Sequence, residues 1–69
     1  MNIAEDIVGI LDRVKVMNDG KFHKEVDEYC IKNNLDTKKI HKKISNAFNR
    51  YMQSNMSAEY WLRIFLTDK

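Results

Sequence analysis

The chain contains no proline and only two glycines among its 69 residues. Proline breaks helix interiors and glycine weakens them, so their scarcity favours helices joined by short turns. A chain of this length predicts a single helical domain spanning 1–69. Its core must be compact, because a domain of about this size buries only about 60% of the surface that its unfolded chain exposes.

Cysteine is equally scarce, since Cys30 is the one example in the chain. A lone cysteine excludes an internal disulfide and favours a reducing compartment. Two histidines and one cysteine lack the spacing of a structural zinc site, so we expect no metal and no cofactor. No apolar run approaches the roughly 20 residues that cross a bilayer, and the start MNIAEDIVGIL carries no basic residue, unlike a signal peptide. We therefore expect a cytoplasmic protein with no membrane partner.

Motifs that carry catalysis are missing as well. The sequence has no glycine-rich phosphate loop and no serine-centred nucleophile motif. Cys30 falls on the apolar face of a predicted helix, so we expect a buried small hydrophobe rather than a nucleophile. The carboxylates show no pair with an obvious shared pocket. The sequence therefore predicts that the protein is not an enzyme.

The modest net charge of +2 hides a marked asymmetry along the chain. Residues 1–30 hold four Lys or Arg and seven Asp or Glu, whereas residues 31–54 hold six Lys or Arg and a single acid, Asp36. A positive block in an otherwise acidic or neutral chain favours a polyanionic partner. A solvated lysine-rich helix face is the alternative interpretation of the same pattern.

Apolar periodicity predicts two helices in the first half of the chain. Asn2 is a candidate N-cap with Glu5 completing a capping box, and the apolar face of the first helix comprises Ile3, Ile7, Ile10, Leu11, Val14 and Met17. Val8 and Val16 lie off this stripe, as surface residues or as a second contact. The turn signal NDG at 18–20 should end the helix.

The second predicted helix runs from near Phe22 to about Lys32, with Ile31 packing under the next turn. Its two faces differ: Phe22, Val26, Tyr29 and Cys30 are apolar, and Glu25, Asp27 and Glu28 are acidic. Asparagine tolerates the left-handed backbone of helix ends, so Asn33 and Asn34 should terminate it.

Asp36 is the predicted N-cap of a third helix over 37–52. One face of that helix is apolar, with Ile40, Ile44, Ala47, Phe48 and Tyr51, and no acid interrupts its basic opposite face. Ser57 is the predicted N-cap of a fourth helix that contacts the core through Tyr60, Trp61, Ile64 and Phe65. A strand at 60–66 is the alternative, because YWLRIFL is rich in strand formers.

Residues 23–48, HKEVDEYCIKNNLDTKKIHKKISNAF, resemble the helix-turn-helix family of DNA-binding domains. Asn34 takes the turn position that glycine usually holds, Leu35 is the buried turn residue, and Asp36 replaces the usual serine or threonine cap. Ile40 and Ile44 occupy the buried positions of the second helix. The resemblance implies an all-α fold of three or four helices, or a winged-helix variant if 60–66 is a strand.

The resemblance also implies a function, in which helix 37–52 is the recognition helix of a small transcriptional regulator bound to double-stranded DNA. Base edges would be contacted by Thr37, Lys38, Lys39 and Lys42, with Asn46 suited to adenine. Lys43, Asn49 and Arg50 would hold phosphates, and His41 would be a partly buried spacer. We expect a homodimer formed through the first helix or the aromatic C-terminal segment.

Two other functions remain open. One is a small modulator or inhibitor of phage type, acting on a host protein through acidic faces or an aromatic patch. The other is RNA binding through the same basic face, without insertion into a groove. High usage of Lys, Asn and Ile fits an AT-rich bacterial or phage genome.

Overall fold

Four helices make up the described part of the chain. The structure, a computed structural model, describes residues 2–15 and 20–67. The helices are α1 (Ile3–Val14), α2 (Gly20–Lys32), α3 (Thr37–Met52) and α4 (Ala58–Leu66). No strand occurs in these described ranges. The predicted all-α fold is therefore confirmed, and the alternative with a strand at 60–66 is wrong.

Each helix contributes to one apolar core. The largest fully buried side chains come from all four helices: Ile7, Phe22, Val26, Cys30, Ile44 and Leu62. The apolar faces predicted for the first three helices point into this core, with Tyr51 the exposed exception at the end of α3. Val8 is buried too, so it makes a second contact, whereas Val16 and Met17 lie outside the described residues.

The ends of α1 agree with the prediction only in part. The Oδ1 atom of Asn2 accepts the backbone N–H of Glu5 at 3.2 Å, which confirms the cap. The Glu5 carboxylate bonds Arg63 of α4, however, and leaves the reciprocal half of the capping box unmade. At the other end α1 stops at Val14, because Lys15 adopts a left-handed conformation with φ of 72°. Residues 18 and 19 of the predicted turn lie outside the described residues, and Gly20 is the first residue of α2.

The connection between α2 and α3 is a tight turn centred on Asn34. The φ angle of Asn34 is 58°, as the sequence predicted. Its backbone N–H donates to the Ile31 carbonyl at 3.2 Å, and the Leu35 N–H donates to the Cys30 carbonyl at 2.8 Å. These two bonds form the Schellman motif that closes a helix end. The side chain of Ile31 is 75% exposed, so its predicted packing under the turn is wrong.

The next helix begins immediately after this turn. Leu35 is half-buried against the core, and the Oδ1 atom of Asp36 accepts the Lys39 backbone N–H at 3.2 Å. Asp36 therefore caps α3 as predicted. The left-handed Asn34, the half-buried Leu35 and the N-cap Asp36 thus follow one another directly. Together they fix where α3 starts relative to α2.

The face of α4 that meets the core is rotated from the predicted one. Leu62 and Leu66 are buried, whereas Tyr60 and Ile64 are 40% and 47% exposed. Ser57 caps the helix as predicted, since its Oγ atom accepts the Tyr60 backbone N–H at 3.1 Å. Leucines four residues apart share one side of a helix, and this side packs against α1 and α3. Trp61 and Phe65 are partly buried against the core as predicted, so the prediction is wrong for Tyr60 and Ile64 only.

The left-handed backbone at Asn34 generates a stability prediction. We expect Asn34→Gly to leave the free energy of unfolding within about 0.5 kcal/mol of wild type, because glycine adopts positive φ freely. Asn34→Val should lower it by about 1–2 kcal/mol, since a β-branched side chain clashes in this conformation. Urea denaturation followed by circular dichroism measures both values. Asn46→Val, at an exposed helical position, is the matched control; an equal loss there would contradict the explanation.

The contact between Glu5 and Arg63 generates a pH prediction. The Arg63 guanidinium donates from Nε to a Glu5 oxygen at 2.6 Å and from a terminal nitrogen at 3.1 Å. These hydrogen bonds hold the pKa of the Glu5 carboxyl below its ordinary value of 4.5. A carboxyl whose pKa is lowered on folding stabilises the folded state at every pH above its ordinary pKa. This stabilisation is lost as the pH falls through the lowered pKa of the folded state.

We therefore expect the melting temperature of Glu5→Gln to be lower than that of wild type at pH 7. In strong acid the two melting temperatures should be equal. Thermal melts at several pH values, at low salt, measure this difference. Glu28→Gln is the control, because Glu28 has no ion-pair partner among the described residues. A difference in melting temperature that stays constant from pH 7 to pH 2 would contradict the pairing.

Candidate nucleic-acid interface

One side of α3 is polar and open to solvent. Ile40, Ile44 and Ala47 are buried against the rest of the molecule. Six of the eight predicted site residues are exposed: Lys38, Lys39, Lys42, Asn46, Asn49 and Arg50. We call these six residues the α3 polar face.

Helical geometry ranks the members of this face. At 3.6 residues per turn, Lys42 and Asn49 point almost directly away from the buried side of the helix. Lys38 and Asn46 flank this central line, and Lys39 lies toward one edge. The side chains that project farthest from the core are therefore two lysines and two asparagines, which offer ammonium and amide donors together with amide acceptors.

Thr37 is a predicted site residue that the structure does not bring to the open face. Its side chain is half-buried beside the buried thiol of Cys30. Burial raises the pKa of that thiol, and the charge of Asp27 raises it further. Thr37 therefore connects the first turn of α3 to the core. The sequence gives no signal for this inward contact, because a threonine at the first position of a helix can equally well be exposed.

Lys43 also differs from the other lysines of α3. Its side chain is half-buried and lines a shallow cleft of about 290 Å³ between α3, the start of α1 and the end of α4. The cleft is also lined by Lys39, Ile3 and Leu66. Lys43 thus borders the α3 polar face, where α3 meets its neighbours.

Arg50 lies where α4 meets the far end of α3. The central carbon of its guanidinium is 5.9 Å from the centre of the Trp61 ring. The indole N–H of Trp61 donates to the Ser54 Oγ atom at 2.7 Å. Although α4 packs closely against α3, the α3 polar face remains exposed. The C-terminal segment described here therefore does not cover it.

Acidic side chains elsewhere are largely engaged within the molecule. Four of them join helices, in the pairs Glu5–Arg63, Asp6–Tyr29, Glu25–Arg13 and Asp27–His41. The sequence did not reveal these pairs, because each joins residues that are distant along the chain. Burial of the phenol, together with its bond to Asp6 at 2.6 Å, raises the pKa of Tyr29.

The lysines of the α3 polar face lack such partners. Lys38, Lys39 and Lys42 form no ion pair within residues 2–15 and 20–67. Their charges are therefore not neutralised by the described part of the chain, whereas Glu5 of α1 and Glu25 of α2 are each paired with an arginine. A concentration of uncompensated positive charge attracts anions and speeds their encounter.

His41 occupies the boundary of α3 that faces α2. Its side chain is half-buried, as predicted for a spacer, and its Nε2 atom lies 2.6 Å from the Asp27 Oδ1 atom. The ring centroid is 5.3 Å from that of His23. This contact joins α2 to α3 beside the α3 polar face.

A second exposed surface lies on the outer side of α4. Met56, Tyr60 and Ile64 are each between 40% and 47% exposed, and they line a shallow cleft with Arg63. Apolar groups left in water favour contact with another molecule. We call these three residues the α4 outer stripe.

Neither metal sites nor membrane spans are found in the described ranges. No three His, Cys, Asp or Glu side chains there are grouped so that they could hold a metal ion. No described helix has the length and apolarity needed to cross a bilayer. No protein-family model matches the chain, and comparisons with curated proteins and with solved structures give no significant match.

Proposed function

We propose that the protein binds double-stranded DNA and acts as a small cytoplasmic transcriptional regulator, with α3 as its recognition helix. The observation that carries the proposal is the α3 polar face, whose lysines have no acidic partner in the described chain. DNA is the polyanion that a helix with one basic, exposed side fits, since the major groove admits an α-helix.

The turn before α3 supports the same function. A recognition helix must project its first turns from the domain at a fixed angle. The Schellman motif at Asn34, the half-buried Leu35 and the Asp36 cap together start α3 abruptly. These residues match the turn of the helix-turn-helix family, to which we assign residues 23–48 within this proposal.

The proposal gives each side chain a role according to its position on α3. Lys38, Lys42 and Asn46 would contact base edges, because they lie near the centre of the exposed side, and asparagine can bond adenine in a bidentate manner. Lys39, Lys43 and Arg50, nearer the edges of the exposed side, would contact phosphates, and Asn49 could reach either. Thr37 keeps its contact with Cys30. Because lysine dominates, affinity should depend steeply on salt.

A specific observation favours a second function, binding to a host protein as a modulator or inhibitor. The α4 outer stripe exposes three large apolar side chains that no described residue covers. The acidic faces of α1 and α2 support this function less, because Glu5, Asp6, Glu25 and Asp27 are already paired. The same stripe is where a homodimer would form.

Titration of labelled duplex DNA at two salt concentrations tests the proposal. We expect the affinity for duplex DNA to fall steeply as the salt concentration rises. At each salt concentration, Lys39→Glu/Lys42→Glu should bind more weakly than wild type. Loss of the phosphate contact of Lys39 should also lower the slope of log affinity against log salt by about 1. Fluorescence anisotropy of the labelled duplex provides the measurement.

The matched control is Lys21→Glu/Lys24→Glu, because both lysines are exposed on α2 and the charge change is identical. It should reduce affinity much less than the α3 variant. Equal effects would indicate attraction to net charge alone. An affinity for DNA that changes neither with salt nor with Lys39→Glu/Lys42→Glu would favour binding to a host protein instead. A higher affinity for single-stranded or duplex RNA than for duplex DNA would favour RNA binding.

A further inference from the structure

Three side chains form a connected cluster where α3 ends and α4 begins. Arg50 lies over the Trp61 ring at 5.9 Å, and Trp61 donates its indole N–H to Ser54 at 2.7 Å. The Ser54 Oγ atom also accepts the Met56 backbone N–H at 3.2 Å. The hydroxyl is therefore fixed by the loop that connects the two helices, and the indole is fixed by the hydroxyl.

The Trp61 ring is held on its other sides as well. Tyr60 meets it edge-on with ring centroids 5.0 Å apart, and Phe65 lies at 6.3 Å. The ring is half-buried against the core. It is therefore a rigid platform for a flexible arginine.

A guanidinium held over an aromatic ring is already oriented to bind an anion. The aromatic face attracts the cation and holds its plane, while the N–H donors at its edge remain available. Arg50 is exposed and has no ion-pair partner among the described residues. Because the side chain is already restrained, it loses less rotamer freedom when it binds.

The position of Arg50 along α3 indicates which anion it meets. Lys39 and Arg50, both assigned to phosphates, are eleven residues apart, which is about 16.5 Å along the helix axis. The major groove is about 12 Å wide, so a helix lying across it brings its two ends to the phosphate strands on either side. Lys42 and Asn46 lie between these ends, over the base edges.

We propose that Arg50, stacked on Trp61, is a preformed subsite for one backbone phosphodiester of the nucleic acid, and that Trp61 is the residue that positions it. The inference rests on the proposed function, because that phosphate belongs to the duplex bound along α3. It gives α4 a part in binding although α4 contributes no residue to the α3 polar face.

A double-mutant cycle on labelled duplex DNA tests the subsite. Arg50→Gln should lower the slope of log affinity against log salt by about 1, as loss of one phosphate contact requires. Trp61→Leu should weaken binding by about two- to fivefold, the size of a cation–π contact. In the Arg50→Gln background, Trp61→Leu should have no further effect, because the arginine that it positions is gone.

Conservative variants separate positioning from folding. Trp61→Phe keeps an aromatic face and should bind within about twofold of wild type, whereas Arg50→Lys keeps the charge without the planar group and should resemble Trp61→Leu. Circular dichroism melts identify variants that do not fold. If Trp61→Leu is among them, the comparison of Arg50→Lys with Trp61→Phe decides in its place. Trp61 is the only tryptophan, so its emission should change when wild type binds DNA.

Two results would overturn the subsite while leaving DNA binding intact. One is an Arg50→Gln variant whose salt slope equals that of wild type. The other is a Trp61→Leu effect of the same size with and without Arg50, which would show a purely structural role. A wild-type protein that does not bind duplex DNA would overturn the proposed function, and the subsite with it.

Discussion

The left-handed turn at Asn34 is the constraint on which the rest of the structure depends. With φ at 58°, the chain leaves α2 and directs Leu35 toward the core, and Asp36 can then cap α3 at once. The start of α3 is thereby fixed, and with it the side of the helix that Ile40 and Ile44 bury. Because the helical period is fixed too, every lysine of the α3 polar face follows in its place. Movement of this turn by one residue would rotate the whole face by about 100°.

The distribution of charge adds a second argument. Lysines at Lys38 and Lys42, and at Lys39 and Lys43, stand four residues apart on α3, where like charges destabilise a helix. Apart from its cap, α3 has no acid in its first turn to offset them. Four acids of α1 and α2, namely Glu5, Asp6, Glu25 and Asp27, have partners on other helices instead. Natural sequences accept such local costs mainly at functional sites. The arrangement is therefore harder to explain as a solvated surface than as a surface for an anion.

Local chemistry made much of this fold predictable, and distant contacts made the rest unpredictable. Asn34, Asp36 and Ser57 were found because caps and left-handed turns depend on the residue itself. For α4 the contacts of Trp61 and Phe65 with the core were predictable, but the burial of Leu62 and Leu66 in place of Tyr60 and Ile64 was not. The partner of Glu5 was missed because Arg63 lies 58 residues away. At the candidate site, the exposed lysines followed from periodicity, but the inward contact of Thr37 and the stacking of Arg50 did not.

The position of α4 bears on both proposed functions. Its inner side, with Leu62 and Leu66, packs against α1 and α3, and Trp61 lies beside that side under Arg50. Tyr60 and Ile64 lie roughly opposite the leucines on the helix. The α4 outer stripe and the α3 polar face therefore share no residue. Because Tyr60 also contacts the Trp61 ring, at 5.0 Å, a partner that shifts Tyr60 would reach Arg50 through a single intervening side chain. The two surfaces are therefore formed by different residues, and Trp61 connects them because it contacts both Tyr60 and Arg50.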